Sequence, residues 1–130
     1  MINSKFTIHI HYQKAKRMKE HWDLRVLHPS KSKAYSFALP KAKLPKDGEK
    51  LLAIRTPDHH ASIMKLDGNL KNGDRMEILD SGKCQIVIDT DDRKGFILNG
   101  KNIKGFYLLI KTKNQGKVDS WLIMKSTKKF

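Results

Sequence analysis

Cysteine is almost absent from this chain. The one residue, Cys84, excludes an internal disulfide and any multi-cysteine zinc site. It lies in Cys84-Gln85-Ile86-Val87-Ile88, reads as a small buried hydrophobe, and points to a reducing, cytoplasmic compartment. Long apolar runs are missing too. None approaches the length that spans a bilayer, and no long basic amphipathic helix is present to lie on one. Met1-Ile2-Asn3-Ser4-Lys5 leads straight into an alternating pattern, so no signal peptide is expected. Acidic residues are scarce: 13 Asp and Glu face 27 Lys and Arg, a formal net charge of +14. That excess favours a polyanionic partner, nucleic acid ahead of an anionic membrane surface. There is no internal repeat, and 130 residues suffice for one domain with a real core but not for two.

Helical periodicity is nearly absent as well; only Lys14 to Glu20 has a claim to one or two helical turns. Phe6, Ile8, Ile10 and Tyr12 alternate with Thr7, His9 and His11. His21–Leu27 alternates again and ends at His28-Pro29-Ser30, a turn signal that places His28 on an exposed turn. Ala34–Leu39 is stopped by Pro40, and Leu51–Arg55 by Pro57, with a basic loop from Lys43 to Lys50 between them. A strand is expected over Ser62–Leu66. Arg75–Leu79 and Lys83–Asp89 read as a hairpin turning at Asp80-Ser81-Gly82, and Gly95–Leu98 runs into a second turn at Asn99-Gly100. Phe106–Lys111 and Ser120–Met124 follow, separated by a loop around Gln115-Gly116, and Lys128-Lys129-Phe130 reads as a frayed end. About nine short strands with frequent turns predict an all-β fold, a closed barrel or sandwich with one or two short helical turns.

The chemistry concentrates in His21-Trp22-Asp23-Leu24-Arg25-Val26. Alternation puts His21, Asp23 and Arg25 on one strand face and Trp22, Leu24 and Val26 on the other. An imidazole and a carboxylate can hold a divalent metal, and a guanidinium can hold phosphate. In isolation such a pattern is more often a salt-bridged surface. The first strand shifts the balance, because His11 and His9 share its polar face and can meet the same carboxylate. Two histidines and one carboxylate suit a catalytic Mn²⁺, Zn²⁺ or Fe²⁺ with positions left open. His9 is either a surface-facing strand residue or an additional ligand.

Asp58-His59-His60 forms a further cluster, where a histidine can bind a phosphate oxygen or protonate a leaving group, unless both are solvated loop residues. Lysines flank these segments: Lys14, Lys16, Arg17 and Lys19 between the histidine strands, and Lys41, Lys43, Lys46 and Lys50 beyond the third. Lys14, Arg17, Lys43 and Lys46 are the nucleic-acid-binding candidates. Trp22 and Trp121 read as core residues; Tyr12 and Tyr35 could stack on bases.

These residues together resemble the 3′-phosphoesterase domain of bacterial ligase D and its stand-alone archaeal relatives. Phe6-Thr7-Ile8-His9-Ile10-His11 followed by His21-Trp22-Asp23-Leu24-Arg25 resembles that family's F-V-x-Q-x-H and H-x-D-x-R. Ser36-Phe37-Ala38-Leu39-Pro40-Lys41 resembles S-W-A-V-P-K, and Leu52-Ala53-Ile54-Arg55-Thr56-Pro57-Asp58-His59 resembles L-A-V-x-x-x-D-H. Leu98 to Tyr107 and Ser120 to Lys125 resemble two later motifs in order, so the similarity spans Phe6 to Lys125. The resemblance implies a β-barrel whose Mn²⁺-dependent site (Zn²⁺ or Co²⁺ as alternatives) trims DNA 3′ ends in repair. It removes a terminal 3′ ribonucleoside, then the 3′-phosphate, leaving a hydroxyl. His11, His21 and Asp23 would be the metal ligands, Arg25 and His59 would contact the scissile phosphate, and Lys41 would lie in the same pocket.

The chain departs from the family in its longer His11–His21 spacer and in His9, where the family has Gln. Ile63 stands where the family has an aromatic hydroxyl. The Gly-rich G-E-Y-G-x-G segment is reduced to Gly73-Asp74-Arg75-Met76. These losses keep a second reading open, a catalytically degenerate barrel that binds nucleic-acid ends as a repair accessory. A third, compatible with the first, is a subunit docking on a DNA ligase or polymerase. Survival of the metal set favours the enzyme, because binding alone needs only lysines and arginines.

Overall fold

Nine strands form in the computed structural model, which describes residues 1–113 and 118–127. They are β1 (Ile2–Gln13), β2 (Lys19–Leu27), β3 (Lys33–Leu39), β4 (Lys50–His60), β5 (Gly68–Asn69), β6 (Arg75–Asp89), β7 (Arg93–Gly100), β8 (Lys104–Lys111) and β9 (Ser120–Ser126). Pairing runs β1-β2-β3-β4-β9-β8-β7-β6, antiparallel throughout, and β6 pairs back onto β1 to close an eight-stranded barrel. The two-residue β5 adds beside β6. The all-β closed barrel expected from the alternation is therefore the fold. The loop expected around Gln115-Gly116 and the end at Lys128-Lys129-Phe130 lie outside the described residues.

One parity of the strands fills the barrel. Phe6, Ile8, Leu24, Phe37, Leu98 and Trp121 are all buried in one continuous core, each worth roughly 1.5–3 kcal/mol of apolar burial. Trp121 is fully enclosed, whereas Trp22 is only partly buried against the same core. Tyr35 is buried with its hydroxyl donating to Asp89 at 2.8 Å. His28 is half-buried rather than exposed, its ring edge-on to Tyr35.

One short helical turn forms where expected, and three other local expectations fail for physical reasons. The helical turn after β1 covers only Lys14–Lys16; Arg17 and Met18 then take left-handed backbone, φ 56° and 61°, and turn the chain into β2. Ser62–Leu66 is not a strand. Ala61–Lys65 forms a second short 3-10 turn, started by the His60 ring, which accepts the Ser62 N–H at 3.1 Å. Pro57 does not end β4. It falls in a bulge, where Ser36 faces Thr56 and Ala34 faces His59, so its missing N–H costs no ladder bond.

The hairpin at Asp80-Ser81-Gly82 is absent, because β6 runs unbroken through it. Gly82 and Gly100 serve close approach between strands, not a turn: a Cβ on Gly82 would strike the Asn99 carbonyl, and one on Gly100 would strike the Phe6 ring. The turn between β7 and β8 is instead made at residues 101–103, around the buried Asp80 carboxylate. That carboxylate accepts the N–H groups of Ser81, Lys101, Asn102 and Ile103 at 2.7–3.0 Å.

Burial opposes the charge on Asp80, but these four donors outweigh it and lower its pKa. Asp80→Asn turns one acceptor oxygen into a donor facing other donors, and should cost on the order of 3 kcal/mol in urea unfolding. A lowered native pKa makes the wild-type contribution present above the ordinary carboxylate range and lost as pH falls through and below it. The variant should lose less stability on acidification than the wild type.

Candidate metal centre and its cleft

The other strand parity faces outward, yet on β1, β2 and β3 it is buried. Thr7, His9, Asp23, Arg25 and Ser36 are each no more than 4% exposed. Residues 61–66 cover Thr7 and His9. Thr7 Oγ1 donates to the Met64 carbonyl and His9 Nε2 to the Leu66 carbonyl, both at 2.9 Å. Register then aligns the polar side chains across strands: Thr7 faces Arg25, His9 faces Asp23 and His11 faces His21, while Arg25 faces Ser36 on β3.

At the uncovered edge of this face the imidazoles meet the carboxylate. His11 Nδ1 lies 3.1 Å from Asp23 Oδ2 and His21 Nε2 lies 3.0 Å from Asp23 Oδ1, with the two rings 4.7 Å apart. Burial opposes the charge on Asp23, but the bonds from His11 and His21 and the Arg25 charge hold its carboxyl far below the usual range. The bond to Asp23, against burial and with help from Asp74, raises the His11 pKa. One donor atom from each of His11, His21 and Asp23 lies within 4.8 Å of the others. Two half-buried imidazoles and a buried carboxylate at the edge of an open cleft fit a divalent ion with positions left for water and substrate.

Arg25 links this cluster to His59. Its Nη2 donates to Asp23 Oδ2 at 3.1 Å and its Nη1 to Ser36 Oγ at 2.9 Å, while Nε is buried with no partner among the described residues. Ser36 Oγ lies 2.9 Å from His59 Nδ1, and Arg25 Nη1 lies 3.4 Å from the same atom. Facing two donors, Nδ1 is the acceptor, so the His59 proton sits on Nε2. Burial, then the Arg25 charge, lowers the His59 pKa and keeps the ring neutral. The β4 bulge is what brings His59 to the Ser36 face; in an unbroken strand its parity would turn it into the barrel.

A cleft of about 490 Å³ opens over these groups, lined among others by His11, His21, Asp23, Arg25 and His59, with Lys16 and Lys19 at its side. Lys41 is exposed and is not part of that lining. His9 does not join the three clustered ligands: it is fully buried, with Nε2 spent on Leu66. Lys14 and Arg17 are exposed beside the cleft. Lys43 and Lys46 border a separate groove with Trp22, Lys104 and Lys125, and Lys43 pairs with Glu49 at 3.0 Å.

Two polar residues of this site were not singled out in the sequence. Ser36 stood in a recognisable motif but carried no assigned role. Asp74, the remnant of the Gly-rich segment, places Oδ2 2.8 Å from His11 Nε2. No spacing rule connects residues so far apart in sequence. Ser36→Ala removes the acceptor of a buried guanidinium hydrogen bond and should lower unfolding free energy by about 1–3 kcal/mol. It should also release the His59 tautomer, visible in nitrogen chemical shifts of the ring.

No helix among the described residues is long and apolar enough to cross a membrane. No curated protein sequence matches the chain. The sequence profile of the DNA ligase D 3′-phosphoesterase domain matches residues 10–111, a span that contains His11, His21, Asp23, Arg25 and His59. With most of its length covered by that match, the chain belongs to the DNA ligase D 3′-phosphoesterase domain family.

Proposed function

We propose that this protein is a metal-dependent phosphoesterase acting on DNA 3′ ends in repair, removing a terminal ribonucleoside, a 3′-phosphate or both. The observation that carries the reading is the close grouping of His11, His21 and Asp23 at the edge of a cleft that also presents Arg25 and a neutral His59. Mn²⁺ is the proposed ion, with Zn²⁺ or Co²⁺ as alternatives. Such an ion supplies neutralisation of phosphate charge and acidification of bound water.

The protein's own groups do the rest. Both Nη atoms of Arg25 already donate to Asp23 and Ser36, so it offers the cleft a fixed positive charge and its remaining N–H hydrogens, not a free fork. That charge, held in a largely dry setting, favours the transition state of a phosphate ester. His59, neutral with its proton on Nε2, donates a hydrogen bond to a phosphate or leaving oxygen. Its lowered pKa argues against an imidazolium acid. Lys16 and Lys19 supply charge for the polyanionic strand at the side of the cleft, and Lys14 and Arg17 extend it. Lys43 and Lys46, on the separate groove, would engage nucleic acid beyond the reacting end. Delivery by a ligase or polymerase, and a reducing cytoplasmic setting for the free Cys84, accord with this reading.

The test is cleavage of labelled primer–templates ending in one 3′ ribonucleotide or in a 3′-phosphate, with Mn²⁺ and with EDTA. Conversion should require the metal and fall more than about 100-fold in His21→Ala, beyond the usual loss on removing an outer partner of a metal ligand. Binding of the same DNA should keep its salt dependence in that variant. Salt-sensitive binding with no conversion under Mn²⁺, Zn²⁺ or Co²⁺ would replace the enzyme by an end-binding barrel.

A further inference from the structure

His11 has a carboxylate on each side of its ring. Nδ1 faces Asp23 Oδ2 at 3.1 Å and Nε2 faces Asp74 Oδ2 at 2.8 Å. A neutral imidazole carries one N–H, and a metal takes the nitrogen without it. Ionised carboxylates only accept, so without an ion the ring bonds to both only when doubly protonated; an ion on Nδ1 displaces the proton facing Asp23 and leaves the one on Nε2 to Asp74. That leaves the Nδ1 lone pair directed at the space shared with Asp23 and His21.

Asp74 is itself held by two further hydrogen bonds. Its Oδ1 accepts the backbone N–H of Lys14 at 2.9 Å, and its own N–H donates to Asn72 Oδ1 at 2.9 Å. Beside it, Gly73 has φ +93°, and a Cβ there would collide with the Lys14 stem. The loop leaving β1 and the loop entering β6 thus interlock at Lys14, Gly73 and Asp74. Two residues beyond Lys14, Lys16 reaches the cleft.

We propose that Asp74 is a positioning residue for the metal centre, fixing the His11 tautomer that presents Nδ1 and tying it to the basic loop between β1 and β2. The inference rests on the reading of His11 as a metal ligand. Outer carboxylates on ligand histidines orient the ring and raise its basicity, and their loss weakens metal binding by about 10–100-fold.

The experiment uses the full chain, stripped of metal and labelled with nitrogen-15. Ring proton–nitrogen correlations are recorded at a pH where histidines are neutral, and Mn²⁺ affinity is measured by calorimetry. Wild type saturated with diamagnetic Zn²⁺ should show His11 with its proton on Nε2, facing Asp74. Asp74→Ala should show a mixture of tautomers and bind Mn²⁺ about 10–100-fold more weakly. Asp74→Asn, which keeps an acceptor oxygen and the side-chain size, should fall between them and carries the measurement if the alanine variant does not fold. A folded variant with the wild-type tautomer and unchanged Mn²⁺ affinity overturns the inference. A wild-type chain that takes up no Mn²⁺, Zn²⁺ or Co²⁺ overturns the metal reading beneath it, an outcome distinct from wild type and variant binding equally well.

Discussion

A buried carboxylate, Asp23, governs the outer face of this barrel. Its side chain is 5% exposed, and a charge in that position is stable only when it is closely partnered. Asp23 has three such partners: His11 on β1, His21 two residues before it, and Arg25 two residues after it. Removing one partner from such a set typically costs about 3–5 kcal/mol, because the other charge stays buried. The same requirement that keeps Asp23 ionised therefore fixes two imidazoles and a guanidinium. Ser36 and His59 inherit their positions from Arg25 in turn. Stability and chemistry here share one hydrogen-bonded chain.

Much of this was legible in the sequence, because strand period translates directly into faces. His21, Asp23 and Arg25 alternate with Trp22, Leu24 and Val26, and the structure separates them onto outside and core as the period requires. The barrel follows from the same alternation repeated along the chain. Turn residues misled wherever glycine served another purpose. Gly82 and Gly100 admit neighbouring backbone and ring atoms at a strand crossing, and sequence alone cannot distinguish that from a turn. Pro57 misled for the opposite reason, since a bulge cancels its usual effect.

The site residues missed in the sequence share one property: they act over long separations or in supporting roles. Asp74 meets His11 only because β6 closes the barrel against β1, placing Met76 opposite His11 in register. His9 shows the converse. Its position beside His11 on the strand face suggested a ligand, but the segment after β4 folds over it and claims Nε2 through a main-chain oxygen.

That covering segment has a further consequence. Thr7 and His9 grip it through the carbonyls of Met64 and Leu66, groups that every amino acid possesses. The grip is thus indifferent to side-chain identity. Side-chain changes along residues 62–66 therefore leave the hold on Thr7 and His9 intact, and both buried residues beneath that stretch keep their partners.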